Sequence, residues 1–228
     1  MSKCEQCIVK GLNSLKTLTK NELSRISKCK TSIEVKKGET LFVEGEHLNG
    51  IYCIKDGISK VSKMSSNGRE QILFLVNKGD IIGERSLVND EVANLKATAI
   101  SDMKVCFIPR EEIINDLKKN PEFTLNILKD MASSLKNADN VIVDMAQKNV
   151  KQRLAEMLIY LDQKFGHDAE GILNIHLSRE DIANMIGTAT ESAIRILSEF
   201  KKKGVINLKG KNISLIDIPG LKKIAQGF

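Results

Sequence analysis

The sequence predicts an α+β chain: an N-terminal β jelly roll, a long dimerisation helix and a C-terminal winged helix-turn-helix. Three observations carry this expectation. Glycines at 38, 45, 50, 57, 68, 79 and 83 cut the stretch from Thr31 to Pro109 into short strand-like runs. Leu128, Met131, Leu135, Ala138, Ile142 and Met145 then recur at spacings of three and four. Finally, two short helical patterns flank Gly187 and lead into two strand-like runs around Lys209-Gly210-Lys211. The expected boundaries are 1–120 for the β domain, 121–148 for the dimerisation helix and 149–228 for the C-terminal domain.

Composition bounds what such a chain does. Its 228 residues are 28% charged and 42% hydrophobic, as in a water-soluble globular protein. No apolar run approaches the roughly 18 residues of a membrane span, and no secretion signal opens the chain. A cytoplasmic protein without a membrane partner is therefore expected. Five cysteines, at 4, 7, 29, 53 and 106, are an odd count and do not read as a disulfide framework. The net charge of +6 is compatible with a nucleic-acid partner. The absence of tryptophan, with aromatics at 4%, argues against a stacking surface for single strands.

Within the β region, Asp56-Gly57 and Asn67-Gly68 each stand between strand-like runs and read as hairpin turns. A short helix follows and ends near Asn120, and Pro121 suits the first turn of the next one. That helix covers roughly 25 residues, or about 37 Å at 1.5 Å per residue. This is too long for a small barrel to cover on one side, so its apolar seam is expected to meet a second copy. Asp144 and Lys148 stand four apart in the favourable acid-to-base order.

In "LSREDIANMIGTATESAIRILSEFKKKGVI", Ser178 and Asp181 have the spacing of a capping box. Ile182, Ala183 and Ile186 form an inner face, and Gly187 supplies a left-handed residue where the helix stops. Thr188 or Thr190 is expected to cap the second helix, which buries Ala193, Ile196, Leu197 and Phe200. Helix, glycine turn and helix is the geometry that seats a recognition helix in the major groove. Ser178, Arg179, Thr188, Thr190, Glu191, Ser192 and Arg195 are the expected contacts on this pair, with Lys209 and Lys211 on the wing. Arg195 matches guanine O6 and N7, Glu191 matches cytosine N4, and the wing lysines match phosphate.

Taken together, "KKGETLFVEGEHLNGIYCIKDGISKV", "KGDIIGERSL" and "LSREDIANMIGTATESAIRILSEF" resemble the family of the cyclic-AMP receptor protein and the fumarate-and-nitrate-reduction regulator. The resemblance spans essentially the whole chain. It implies a cyclic-nucleotide-binding-like sensor domain and a homodimer acting on near-palindromic double-stranded DNA, with RNA polymerase as a further partner. It also places Thr190, Glu191 and Arg195 at the base-reading positions, with Thr190 and Ile194 departing from the best-known members.

The family's cyclic-nucleotide cassette begins Gly-Glu, here Gly83-Glu84, followed by Arg85 and Ser86. Its later arginine and hydroxyl residue are replaced by Asn94 and Leu95. Asparagine does not neutralise a phosphate and leucine donates nothing. The adenine-facing positions hold Ala138 and Asp139, so the residues argue against cyclic AMP. Arg85 and Lys96 are cations near the cassette that could substitute for the missing arginine. The oxygen-sensing members hold an iron-sulfur cluster on four cysteines. Cys4, Cys7 and Cys106 match three of them, while the remaining position is Asn13. Cys53, in "IYCI", reads as a core strand residue, and Cys29 is off the expected spacing. A labile cluster, Zn²⁺, a reversibly oxidised pair and no chemistry at all remain open for the three thiols.

No serine-histidine-acid set, paired acid site or Walker loop is present, so an enzyme is not expected. The expected function is a sequence-specific transcription regulator, with oxygen, nitric oxide or redox state as candidate signals. The alternative is a ligand-binding regulatory or adaptor module without DNA-binding activity.

Overall fold

The computed structural model describes Cys7 and residues 11–227, and the expected ligand Cys4 lies outside the described residues. The chain divides into two compact units, residues 1–64 with 72–137, and residues 65–71 with 138–228. No described helix is long and apolar enough to cross a membrane.

The first unit opens with a 3-10 turn, Ser14–Thr17, capped by the Asn13 side chain, and helix α1, Lys20–Cys29. Thr19 and Glu22 form a reciprocal capping box at the start of α1. Eight strands follow: β1 Thr31–Val35, β2 Thr40–Phe42, β3 Gly50–Asp56, β4 Ser59–Met64, β5 Glu70–Val76, β6 Ile81–Ile82, β7 Lys96–Ala99 and β8 Met103–Pro109. They form two four-stranded sheets, ordered β1-β8-β3-β6 and β2-β7-β4-β5. Helix α2, Glu84–Asn89, interrupts them, and α3, Arg110–Lys119, follows them.

Period-two alternation assigns the faces. Ile54, Val105 and Met103 join Val61, Val76 and Leu95 in the core between the sheets. Ile51, Cys53, Cys106 and Ile108 point the other way, into a core with Leu23 and Ile26 of α1 and Ile113 of α3. The β1-β8-β3-β6 sheet is therefore covered on both faces, which explains the near-continuous apolar run in "GIYCI".

Asn67-Gly68 lies in the turn between the neighbouring strands β4 and β5, where the Ser65 amide donates to Arg69 O at 2.9 Å. Asp56-Gly57 does not close a hairpin, because β3 and β4 belong to different sheets. The sequence detected the positive φ at Gly57, 85°, but not that the chain changes sheet there. A Cβ on Gly57 would come within 2.3 Å of Asp102 O, so the corner itself demands glycine.

Helix α4 runs Pro121–Gln147, and the division between the units falls within it. The second unit continues with α5 Val150–Phe165, α6 Arg179–Ile186, α7 Thr190–Lys202, β9 Ile206–Lys209, β10 Asn212–Leu215 and α8 Ile218–Gln226. Leu154, Leu158 and Leu161 of α5, Leu221 of α8 and the inner faces of α6 and α7 are all buried. Arg153 fixes the entry to this bundle by donating to Lys148 O at 2.6 Å and Ile186 O at 2.9 Å.

Candidate nucleic-acid interface

Helix α6 starts at a complete capping box. The Asp181 amide donates to Ser178 Oγ at 2.9 Å, and the Ser178 hydroxyl donates to Asp181 Oδ2 at 2.6 Å. Gly187 ends the helix in the left-handed region, with φ 65° and ψ 53°, and its N–H donates to Ala183 O. Neither threonine caps the next helix: Ala189 occupies the N-cap and offers no side-chain acceptor. Thr190 is already the first helical residue, and the Thr188 amide is spent on Ala183 O at 3.1 Å. The first turn of α7 therefore presents backbone N–H groups that no cap side chain satisfies.

Helix α7 is strongly two-faced. Ala193, Ile196, Leu197 and Phe200 are buried. Glu191, Ile194, Arg195 and Ser198 are exposed on the opposite face, with Thr190 and Ser192 half-buried beside them. Ser198 was not singled out from the sequence, although its four-residue spacing from Ile194 places it on this face. Its hydroxyl donates to Ile194 O at 2.9 Å.

β9 and β10 pair from Asn212↔Lys209 to Leu215↔Ile206, leaving a tight turn at Gly210-Lys211 with φ 61° at the glycine. Lys209 and Lys211 are exposed at the tip. Arg179 ties that tip to α6 by donating from Nη2 to Gly210 O at 2.7 Å. Burial pulls the Arg179 pKa down, and its Nη1 has no hydrogen-bond partner. Among the terminal lysines of α7, Lys201 donates to Leu208 O at 3.1 Å and Lys203 pairs with Glu199 at 3.6 Å. Hydrogen bonding from Lys151, opposed by partial burial, holds the Glu199 carboxyl below its usual range.

Along α4, Leu128, Leu135 and Ile142 are 55%, 65% and 66% exposed, and Ala138 is exposed with them. Met131 instead packs partly on the core of its own unit, and Met145 is half-buried near Gly187. Lys148 closes the helix with ion pairs to Asp144 at 2.7 Å and Glu156 at 2.6 Å.

The residues of the expected ligand cassette differ in their surroundings. Gly83, with φ 95°, precedes α2, and Ser86 is buried beneath it. Glu84 bonds its own backbone and keeps Oε2 unpartnered, and burial pushes its pKa up. Arg85 lies over the Phe74 ring at 5.6 Å. Asn94 is exposed and gives its carbonyl to Lys63 at 3.2 Å, whereas Leu95 is buried in the inter-sheet core.

Of the three expected thiol ligands, Cys7 and Cys106 fall among the described residues. Asn13 holds the position that the resemblance assigns to the remaining thiol. Its amide donates to Cys53 Sγ at 3.4 Å and Gly79 O at 2.9 Å. Cys7 is half-buried against the core that holds Cys53 and Cys106. Among the described residues no group of three or more His, Cys, Asp or Glu is placed to hold a metal ion.

Comparison with known proteins agrees with this architecture. A cyclic nucleotide-binding domain matches residues 32–120, and a Crp-like helix-turn-helix domain matches residues 152–224. The chain is 31% identical over 224 residues to the anaerobic regulatory protein of Haemophilus influenzae, covering 96% of this chain and 86% of the relative. It is 27% identical over 206 residues to the CRP-like cAMP-activated global transcriptional regulator of Mycobacterium tuberculosis, covering 90% of this chain and 92% of the relative. The fold is shared with FixK2 from Bradyrhizobium japonicum at a TM-score of 0.78 and 24% identity, over 86% of this chain and 96% of that one. Fold and helix-turn-helix define a DNA-binding transcription regulator. The chain belongs to the CRP/FNR family, whose members are non-enzymatic transcription factors.

Proposed function

We propose that this protein is a homodimeric, sequence-specific regulator that reads a near-palindromic operator with the exposed face of α7. The observation that carries the reading is that face: Glu191 and Arg195 stand one helical turn apart, opposite a fully buried inner face. Arg195 supplies a bidentate donor for guanine and Glu191 an acceptor for cytosine. Thr190, Ser192, Thr188, Ser178 and Arg179 frame the helix start, and Lys209 and Lys211 supply phosphate contacts. Two copies joined along Leu128, Leu135, Ala138 and Ile142 would present two such helices to half-sites one turn apart, about 34 Å. RNA polymerase is the partner through which a family member of this kind acts on transcription.

The signal on this reading is not cyclic AMP. Asn94 and the buried Leu95 supply no cation or hydroxyl for a cyclic phosphate. An adaptor without DNA-binding activity has no comparable support, because it leaves the exposed face of α7 and the basic wing unused.

The test is selection of bound sequences from a random double-stranded pool, followed by shift assays with wild type and Arg195→Ala. Wild type is expected to recover an inverted repeat. Arg195→Ala is expected to lose about 1–3 kcal/mol of discrimination at one base pair of each half-site. Equal selectivity of the two proteins, or no selected motif, would remove the assignment of α7.

A further inference from the structure

We propose that Cys53 and Cys106 form a dithiol that a hydroperoxide converts into a disulfide across β3 and β8. The register places these two residues directly opposite each other in an antiparallel pair. Both side chains enter the same helix-covered core, so they share one face of the sheet. Directly opposed residues have Cα atoms about 4.5–5.5 Å apart, inside the roughly 4.4–6.8 Å that a disulfide spans. Bond formation therefore needs side-chain rotation and no change of strand register.

Each sulfur has a polar neighbour. The Asn13 amide donates to Cys53 Sγ at 3.4 Å and is itself fixed by Gly79 O at 2.9 Å. The Ser32 hydroxyl lies 3.9 Å from Cys106 Sγ. An N–H aimed at sulfur stabilises the negative charge that develops there as the proton leaves. At 5% exposure each, the two thiols admit a small oxidant better than a bulky one. Cys29 is exposed and lies outside this core, and hydrogen bonding to Glu112 raises its pKa.

The reaction balances without a metal. One thiolate attacks the peroxide O–O bond and becomes a sulfenic acid as an alcohol, or water from hydrogen peroxide, departs. The second thiolate then attacks that sulfur and displaces hydroxide, which leaves as water. Two thiols are oxidised by two electrons and one hydroperoxide is reduced. The bond would form beneath Phe123 and Ile127, the residues that seat the first turns of α4 in this core.

The test treats the full-length reduced protein with about one equivalent of hydrogen peroxide, the oxidant that accepts this electron pair. Thiol titration, intact mass and a non-reducing peptide map follow. Wild type and Cys29→Ser are each expected to lose two thiols and two hydrogen masses. The linked peptides should join Cys53 to Cys106, and dithiothreitol should restore both. Cys53→Ser and Cys106→Ser should each abolish the link. Linkage of other cysteines, oxygen addition without linkage, or no loss of thiols would overturn the proposal. So would stoichiometric iron or zinc in anaerobically purified protein that Cys106→Ser removes. The wild-type map decides the matter even if a serine variant fails to fold.

Discussion

Arg25 holds α1 to α3 through Glu112 and Asp116, and the Asp116 side chain is only 1% exposed. Burial pushes the Asp116 pKa up in spite of that partner, and its Oδ2 remains unpartnered. Removing the counter-charge strands a buried carboxylate. Arg25→Ala is expected to lower stability by about 3 kcal/mol, the lower end for breaking a buried pair because Arg25 is partly exposed. Urea unfolding at neutral pH measures it, and an unchanged midpoint would deny the clamp. Glu84 gives a pH signature of opposite sign to a paired carboxylate. Its folded pKa is raised, so the native chain retains a proton that the unfolded chain releases. Stability from this group is present below the ordinary carboxyl range and is lost as pH rises through the raised pKa. Glu84→Gln should therefore gain melting temperature relative to wild type as pH rises from the ordinary carboxyl range toward the raised pKa. A constant difference across that range would contradict the assignment. Neither effect was legible in the sequence, because burial of one carboxylate in a charged stretch depends on which helices pack around it.

At the scale of elements, the local signals read well where the chemistry is local. The Ser178 and Asp181 box and the Gly187 stop both formed as their spacing implies. Thr188 and Thr190 failed as caps because the turn advanced the helix start, leaving Ala189 at the cap position. Asp56-Gly57 carried a true backbone preference and a false pairing. A turn dipeptide specifies φ at one residue and says nothing about which strand lies alongside. The wing carries its own prediction. Replacing Lys209 and Lys211 together by alanine should weaken binding to every duplex similarly and flatten the salt slope by up to about 2. Titrations on the selected operator and on random DNA at several salt concentrations measure this. A change confined to the operator would instead make the wing a sequence reader.

At the scale of the whole molecule, α4 exposes Leu128, Leu135 and Ile142 seven residues apart. An isolated chain leaves this ridge in water, and the proposed second copy would cover it. Leu135→Glu with Ile142→Glu is expected to convert a dimer to a monomer in sedimentation analysis and to weaken operator binding at least about 10-fold through lost bivalency. A variant that remains dimeric would place the interface elsewhere.

The sequence by itself determined the class of fold, because alternation, heptad spacing and glycine stops act over a few neighbouring residues. It also specified which residue types are available: Arg195 on the helix after Gly187, and Asn94 and Asn13 at positions that the resemblance assigns to an arginine and a thiol. Only the tertiary structure decided what those residues meet. Leu95 turns into the inter-sheet core, Arg85 lies on Phe74, and Cys53 faces Cys106 from a strand about fifty positions away in sequence. Strand register is a long-range choice made by two packed faces at once, and no local pattern in either strand contains it.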